Sequence, residues 1–203
     1  MHGLAATGVV DGTARRIAAP QGFIPFLQAR NFGPSLPSRE ISLLVVHDME
    51  YPERPEGAEW CAQFFAGANA PRASCHYCVD SNSVVQCVRD RDVAWHAPGG
   101  NHNGIGIEHA GYAKQSREEW LDDYSRAELE ISARLTAKLS LLYDIPLRRL
   151  TDTDLKAGGA RGFCGHVDLT LASGKPGHFD PGPHFPWSEY LDLVRQALAR
   201  DPT

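Results

Sequence analysis

The sequence predicts a single α/β domain, a central β-sheet with α-helices packed on it, and three observations carry that reading. Its 203 residues are enough to close one hydrophobic core and too few for two ordinary ones. Short apolar runs of strand character at 41–46 and 105–108 alternate with longer stretches of helical period at 125–142 and 187–199. No internal repeat or low-complexity tract divides the chain. Strands and helices in this order place helices against a sheet, and the pattern alone leaves open whether that sheet is parallel or mixed.

Residues 1–36 hold Gly, Pro and polar residues around one aromatic patch, Phe23 to Leu27, and read as an arm packed on a domain that occupies 37–203. The run 41–46 is apolar at every position but Ser42, as expected of a strand buried on both faces, so His47 stands at a strand's C-terminal end. A short helix is expected over 55–66, with Trp60 and Phe64 four apart on one face. Segments 76–80 and 84–89, separated by Ser81-Asn82-Ser83, predict a hairpin. Residues 105–108 predict another strand ending at Glu108, and Pro98-Gly99-Gly100 before it suits a loop that passes close to a ligand.

The best helix starts at Ser125, where Ser-x-x-Glu to Glu128 reads as a capping box. Ile131, Leu135, Leu139 and Leu142 define its apolar face, and Pro146 follows its end. Residues 151–179, rich in Gly, Lys and Asp, read as a long functional loop. The last helix, 187–199, gathers Trp187, Tyr190, Leu191, Val194 and Leu198 on one side.

Composition narrows the function. A net charge of −5, with Lys and Arg interspersed among Asp and Glu, argues against a nucleic-acid surface. No apolar run reaches the length of a membrane span, so no membrane insertion is expected. The first residues lack a basic segment ahead of an apolar one, so the reading is synthesis in the cytoplasm without a signal peptide. Five cysteines, an odd and scattered set, predict buried thiols rather than a disulfide framework. Cys75 and Cys78 form a Cys-x-x-Cys, yet in a strand residues three apart point to opposite faces.

Three residues stand out chemically: His47, His166 in Cys-Gly-His-Val-Asp, and Asp180 in His-Phe-Asp-Pro-Gly-Pro. Two imidazoles and a carboxylate are the donor set of a catalytic zinc, with a fourth position left for water. Zinc brings the pKa of such a water to roughly 7. Each residue also has an ordinary reading. A single histidine is more often a core or surface residue, as applies to His2, His102 and His109, and Asp-Pro-Gly-Pro is a good turn anywhere.

The ordered segments Val-Val-His-Asp, Ser-Cys-His-Tyr-Cys-Val-Asp, Ala-Trp-His-Ala, Asn-His-Asn-Gly-Ile-Gly-Ile-Glu-His-Ala-Gly, Gly-His-Val-Asp-Leu and His-Phe-Asp-Pro-Gly-Pro-His-Phe-Pro-Trp span most of the chain. Together they closely resemble the zinc-dependent N-acetylmuramoyl-L-alanine amidases of type 2, a superfamily shared with phage lysozyme-type amidases and peptidoglycan recognition proteins. The resemblance implies a mostly mixed central sheet flanked by helices. It also implies hydrolysis of the amide between N-acetylmuramic acid and L-alanine in peptidoglycan or muropeptide.

By resemblance, His47, His166 and Asp180 match the Zn2+ ligands and Glu108 a catalytic glutamate. His178 stands where many relatives have lysine, a place suited to stabilising an oxyanion. Where some phage relatives carry a tyrosine the chain has Cys75, which receives no catalytic role, and His76 reads as structural. Trp95 and His96 match a motif lining the cleft, and Asn101 and Asn103 are candidates for hydrogen bonds to the stem peptide. A lytic, endolysin-type enzyme that acts on the cell wall after release or delivery is the expected role. A non-catalytic peptidoglycan-binding module and an amidase of soluble muropeptide recycling are the alternatives.

Overall fold

The sheet is organised around one strand that is buried from end to end. The computed structural model describes residues 24–35, 37–175 and 177–200. In chain order its elements are β1 (Phe32–Gly33), β2 (Leu43–Asp48), α1 (Gly57–Ala66), β3 (Tyr77–Val79), β4 (Val84–Gln86), β5 (Val93–Ala94), β6 (Gly104–His109), α2 (Asp123–Leu142), α3 (Asp152–Lys156), β7 (Gly162–Gly165), α4 (His166–Ser173) and α5 (Trp187–Arg200). The main sheet has the order β4-β3-β6-β2-β7, while β1 and β5 form a separate antiparallel ribbon. Within the main sheet β3, β6, β2 and β7 run parallel and β4 pairs antiparallel with β3, so the sheet is mixed.

Every residue of β2 is buried, as a parallel strand covered on both faces requires. Leu44, Val46, Ile105, Ile107 and Phe163 belong to one core cluster with Leu129, Ala133, Tyr190 and Val194, so this face is closed by α2 and α5. Each such side chain withdrawn from water stabilises the fold by roughly 1.5–3 kcal/mol. A polar chain crosses the same layer. His109 Nε2 lies 2.7 Å from Ser132 Oγ, which lies 2.8 Å from the Tyr190 hydroxyl, tying β6 to α2 and α5. The opposite face carries Leu43, Val45 and Cys164, with Leu169 of α4 over them. Farther along it, α1 covers a thiol-rich cluster of Cys61, Cys75, Cys78 and Cys87.

Several expectations hold. The hairpin is β3–β4, the strands at 41–46 and 105–108 are β2 and β6, and all five cysteines are free and buried. Among the described residues no helix is long and apolar enough to cross a membrane. Of the arm at 1–36, residues 1–23 and 36 lie outside the described residues. In its described part, Leu27 N and Ala29 N donate to the Gln86 and Cys87 carbonyls.

Other readings are corrected. Segment 151–179 is not a long loop but contains α3, β7 and α4. These elements are short, and β7 is Gly-Phe-Cys-Gly, buried at every position, so neither helical period nor strand alternation shows in the sequence. Helix α2 is capped by Asp122, whose side chain accepts from Ser125 N at 2.9 Å. Glu128 forms no capping box. It is fully buried and accepts from Ala110 N at 2.6 Å. Trp60 and Phe64 do share a face of α1, but the exposed one, where Trp60 stacks on Tyr51 at 3.8 Å between ring centroids. The core side of α1 is Ala58, Cys61, Ala62 and Phe65.

Candidate metal centre

Strand register assembles the site. In β2 and β6, His47 is directly paired with Glu108. On the other side of β2, Val46 is paired with Gly165, the last residue of β7, and His166 opens α4 immediately afterwards. His47, Glu108 and His166 therefore emerge together at the C-terminal edge of adjacent parallel strands, where α/β sheets form their crevices.

Asp180 arrives from the chain beyond α4. Val167 N donates to the Asp180 carbonyl at 2.9 Å. Close approach there depends on Gly165, since a Cβ at that position would stand 2.7 Å from Pro181 Cδ. The turn is completed by Gly182 at φ +88°, a left-handed conformation suited to glycine.

His47, His166 and Asp180 are buried, and their ligand atoms lie within 4.8 Å of one another, a group able to hold a metal ion. Both imidazoles turn Nδ1 toward the carboxylate, His47 at 2.9 Å and His166 at 3.2 Å. Burial alone would raise the Asp180 pKa, but hydrogen bonds from His166 and His47 outweigh it and hold the carboxyl well below its usual range. Burial also lowers the proton affinity of His47, against the pull of Asp180. Neutral imidazoles and an ionised carboxylate are the protonation states that metal ligation needs.

Glu108 faces this group with Oε2 out of contact with solvent and without a hydrogen-bond partner. Burial, reinforced by the charges of Asp180 and Asp48, pushes its pKa well above the ordinary value. A buried orphan carboxylate oxygen beside three convergent ligands fits an absent cation or reactant better than a structural role. His178 lies at the rim. Its side chain is 68% exposed, its Nδ1 is 3.6 Å from Asp180 Oδ1, and its ring stacks on that of His166 with centroids 4.1 Å apart.

The four residues expected to bind substrate are placed differently. Trp95 is half-buried on the segment between β5 and β6, and its backbone N–H donates to Ser74 Oγ at 3.0 Å. His96 is 9% exposed and lies behind His47, with its Nδ1 3.0 Å from His47 Nε2. Asn101 Oδ1 accepts from the backbone of both His96 and Ala97, at 2.9 and 2.7 Å. Asn103 donates to Ser42 Oγ at 2.8 Å at the opposite end of the strands from His47. His76, read as structural, is fully buried, its Nδ1 accepting from Gly106 N at 3.0 Å.

Sequence reasoning missed Arg39, whose guanidinium donates to the carbonyls of Asp90, Asn101, His102 and Gly104 and so pins the loop before β6. It also missed why Gly104 and Gly106 precede Glu108. A Cβ on Gly106 would stand 2.6 Å from His96 Cγ, so that glycine makes room for the ring, while one on Gly104 would first meet the Gly100 carbonyl oxygen at 2.6 Å and the His96 ring only at 3.3 Å. Glycine at alternate positions of a strand was the available signal.

The family model described as N-acetylmuramoyl-L-alanine amidase matches residues 37–183. The chain belongs to this family. N-acetylmuramoyl-L-alanine amidase A of Achromobacter lyticus is 29% identical over 167 residues, covering 79% of this chain and 86% of that protein. The 1,6-anhydro-N-acetylmuramyl-L-alanine amidase AmpD of Haemophilus influenzae is 27% identical over 185 residues, covering 83% and 91%. Among solved structures, the Staphylococcus aureus hydrolase AmiA in complex with its ligand superposes with a TM-score of 0.65 at 18% identity, covering 91% of this chain and 86% of that one. The amidase fold is thus shared far beyond sequence similarity.

Proposed function

We propose that this amidase is a zinc enzyme that cleaves the bond between the lactyl group of N-acetylmuramic acid and L-alanine in polymeric cell wall. The observation that carries the reading is the buried group of His47, His166 and Asp180, with the unpartnered oxygen of Glu108 facing it. Two imidazoles and one carboxylate form a donor set that suits zinc and leaves a coordination position open. A zinc ion held there would polarise the scissile carbonyl and acidify water beside it.

In this reading Glu108 accepts the proton of the attacking water and returns it to the departing amine of L-alanine. Its raised proton affinity suits a group that must hold a proton between the two steps. His178, stacked on His166 and open to solvent, donates a hydrogen bond to the oxyanion that develops on the attacked carbonyl. His178 and Phe179, the latter 61% exposed, leave this rim of the site open, which favours a long polymer over a small enclosed substrate.

Glu108→Gln is expected to retain bound zinc while turnover falls by roughly 10²–10⁴-fold. Full activity in that variant would remove Glu108 from the mechanism. The similarity to a 1,6-anhydromuramyl amidase supports a second reading, recycling of soluble wall fragments. Release of peptides with free N-terminal alanine from intact sacculi, compared with release from soluble muropeptide, separates the two.

A further inference from the structure

The His47 ring has two nitrogens, and Nδ1 faces Asp180 and the metal position. The orientation of the ring therefore depends on what holds Nε2. That partner is His96 Nδ1, 3.0 Å away, with the two rings nearly perpendicular at 88°. We infer that His96 is a positioning residue for the metal centre, an imidazole that anchors His47 from behind and aims its Nδ1 at the ion. The inference rests on the metal reading above and extends it to a residue outside the ligand set.

Three features of the fold serve this one contact. The His96 ring lies on the site-bearing face of β6, where Gly104 and Gly106 have no side chains to obstruct it. The backbone carrying His96 is held by Asn101 Oδ1, which accepts from the N–H groups of both His96 and Ala97. Arg39 then fastens the Asn101 and Gly104 carbonyls, closing the loop around the ring. Behind it, His76 meets His96 edge-on, with centroids 5.7 Å apart, and limits its rotation.

The chemistry agrees with this arrangement. A metal at Nδ1 requires the proton of neutral His47 to sit on Nε2, and that N–H, buried against His96, needs an acceptor. His96 is itself buried, and the tautomer protonated at Nε2, an atom without a hydrogen-bond partner among the described residues, leaves its Nδ1 lone pair available. Without a metal, His47 Nδ1–H donates to Asp180, Nε2 becomes the acceptor, and His96 donates from Nδ1 instead. An imidazole serves both arrangements by exchanging tautomers, whereas an aliphatic side chain serves neither.

The test measures zinc affinity by competition with a chromophoric chelator, alongside the visible spectrum of the cobalt-substituted protein and the urea midpoint of the metal-free protein. His96→Leu keeps much of the volume and removes the hydrogen bond, and is expected to weaken zinc binding roughly 10–100-fold and alter the cobalt spectrum. His96→Asn places an amide near the position of Nδ1 and is expected to recover most of the affinity. Leu binding zinc as tightly as wild type would overturn the inference, as would folded Leu and Asn variants weakened equally. If Leu fails to fold, Gly106→Ala gives the same test by pushing the ring away from His47, and unchanged zinc affinity there overturns the inference. Wild type that binds no zinc removes the metal reading itself, whereas wild-type binding matched by Leu removes only the role of His96.

Discussion

Replacing Glu128 by Gln isolates the cost of holding one proton inside the fold. Glu128 is fully buried on the inner face of α2, its Oε1 accepts from Ala110 N at 2.6 Å, and its Oε2 has no partner. Burial, opposed only by that backbone hydrogen bond and reinforced by Asp80, Glu53 and Asp48, raises its pKa well above 4.5. The native state therefore holds this proton to higher pH than the unfolded chain does. With more protons bound in the native state, unfolding free energy falls as pH rises. The full contribution is present below about 4.5 and is lost progressively up to the native pKa.

One proton corresponds to about 1.4 kcal/mol per pH unit across that window. Gln preserves the acceptor for Ala110 and has no proton to lose, so its stability should decline less steeply by that slope. Glu108, whose pKa is also raised and whose charge is not among those acting on Glu128, is present in both proteins and cancels in the difference. Urea unfolding of both proteins from pH 5 to 8, with metal removed, measures it. Parallel profiles would refute the claim that Glu128 is buried as the neutral acid.

Other outcomes follow from the same geometry. Gly182→Ala should destabilise by roughly 1–3 kcal/mol in urea unfolding, since φ is +88° and the new Cβ would fall 1.8 Å from the Ala113 carbonyl oxygen. Tyr190→Phe should cost about 1 kcal/mol with the fold intact, because it removes the hydroxyl from the His109–Ser132 chain. Zinc at 100 times its dissociation constant should stabilise the protein by about 2.7 kcal/mol, reversed by a chelator. Asp180→Ala should abolish that shift, and a melting temperature indifferent to zinc in wild type would contradict the metal centre.

The elements legible in the sequence were those long or regular enough to leave a periodic trace. The apolar run Leu43–Val46 of β2 and the heptad-like spacing of α2 and α5 survive as patterns because burial acts on one face or on all positions alike. Glu128 misled because Ser-x-x-Glu describes a surface cap and a buried acid equally well. The cap fell to Asp122, three residues before Ser125. Trp60 and Phe64 do share a face as their spacing predicts, but four-residue spacing does not say which side the core lies on, and theirs is the exposed one.

For the site, residue types and ordered motifs singled out His47, His166, Asp180 and Glu108 as candidates, because metal ligation and proton transfer demand particular side chains. Their meeting was decided by tertiary structure. Parallel pairing of β2 with β6 and β7 places Glu108 and His166 beside His47, and the contacts His47 makes with His109 and Asp180, across 62 and 133 residues, have no local signature. The work of His96 was likewise invisible until its ring was seen over Gly104 and Gly106. A chain records which chemical groups it carries, whereas the direction of an imidazole nitrogen is a property of the packed neighbours that leave it only one way to turn.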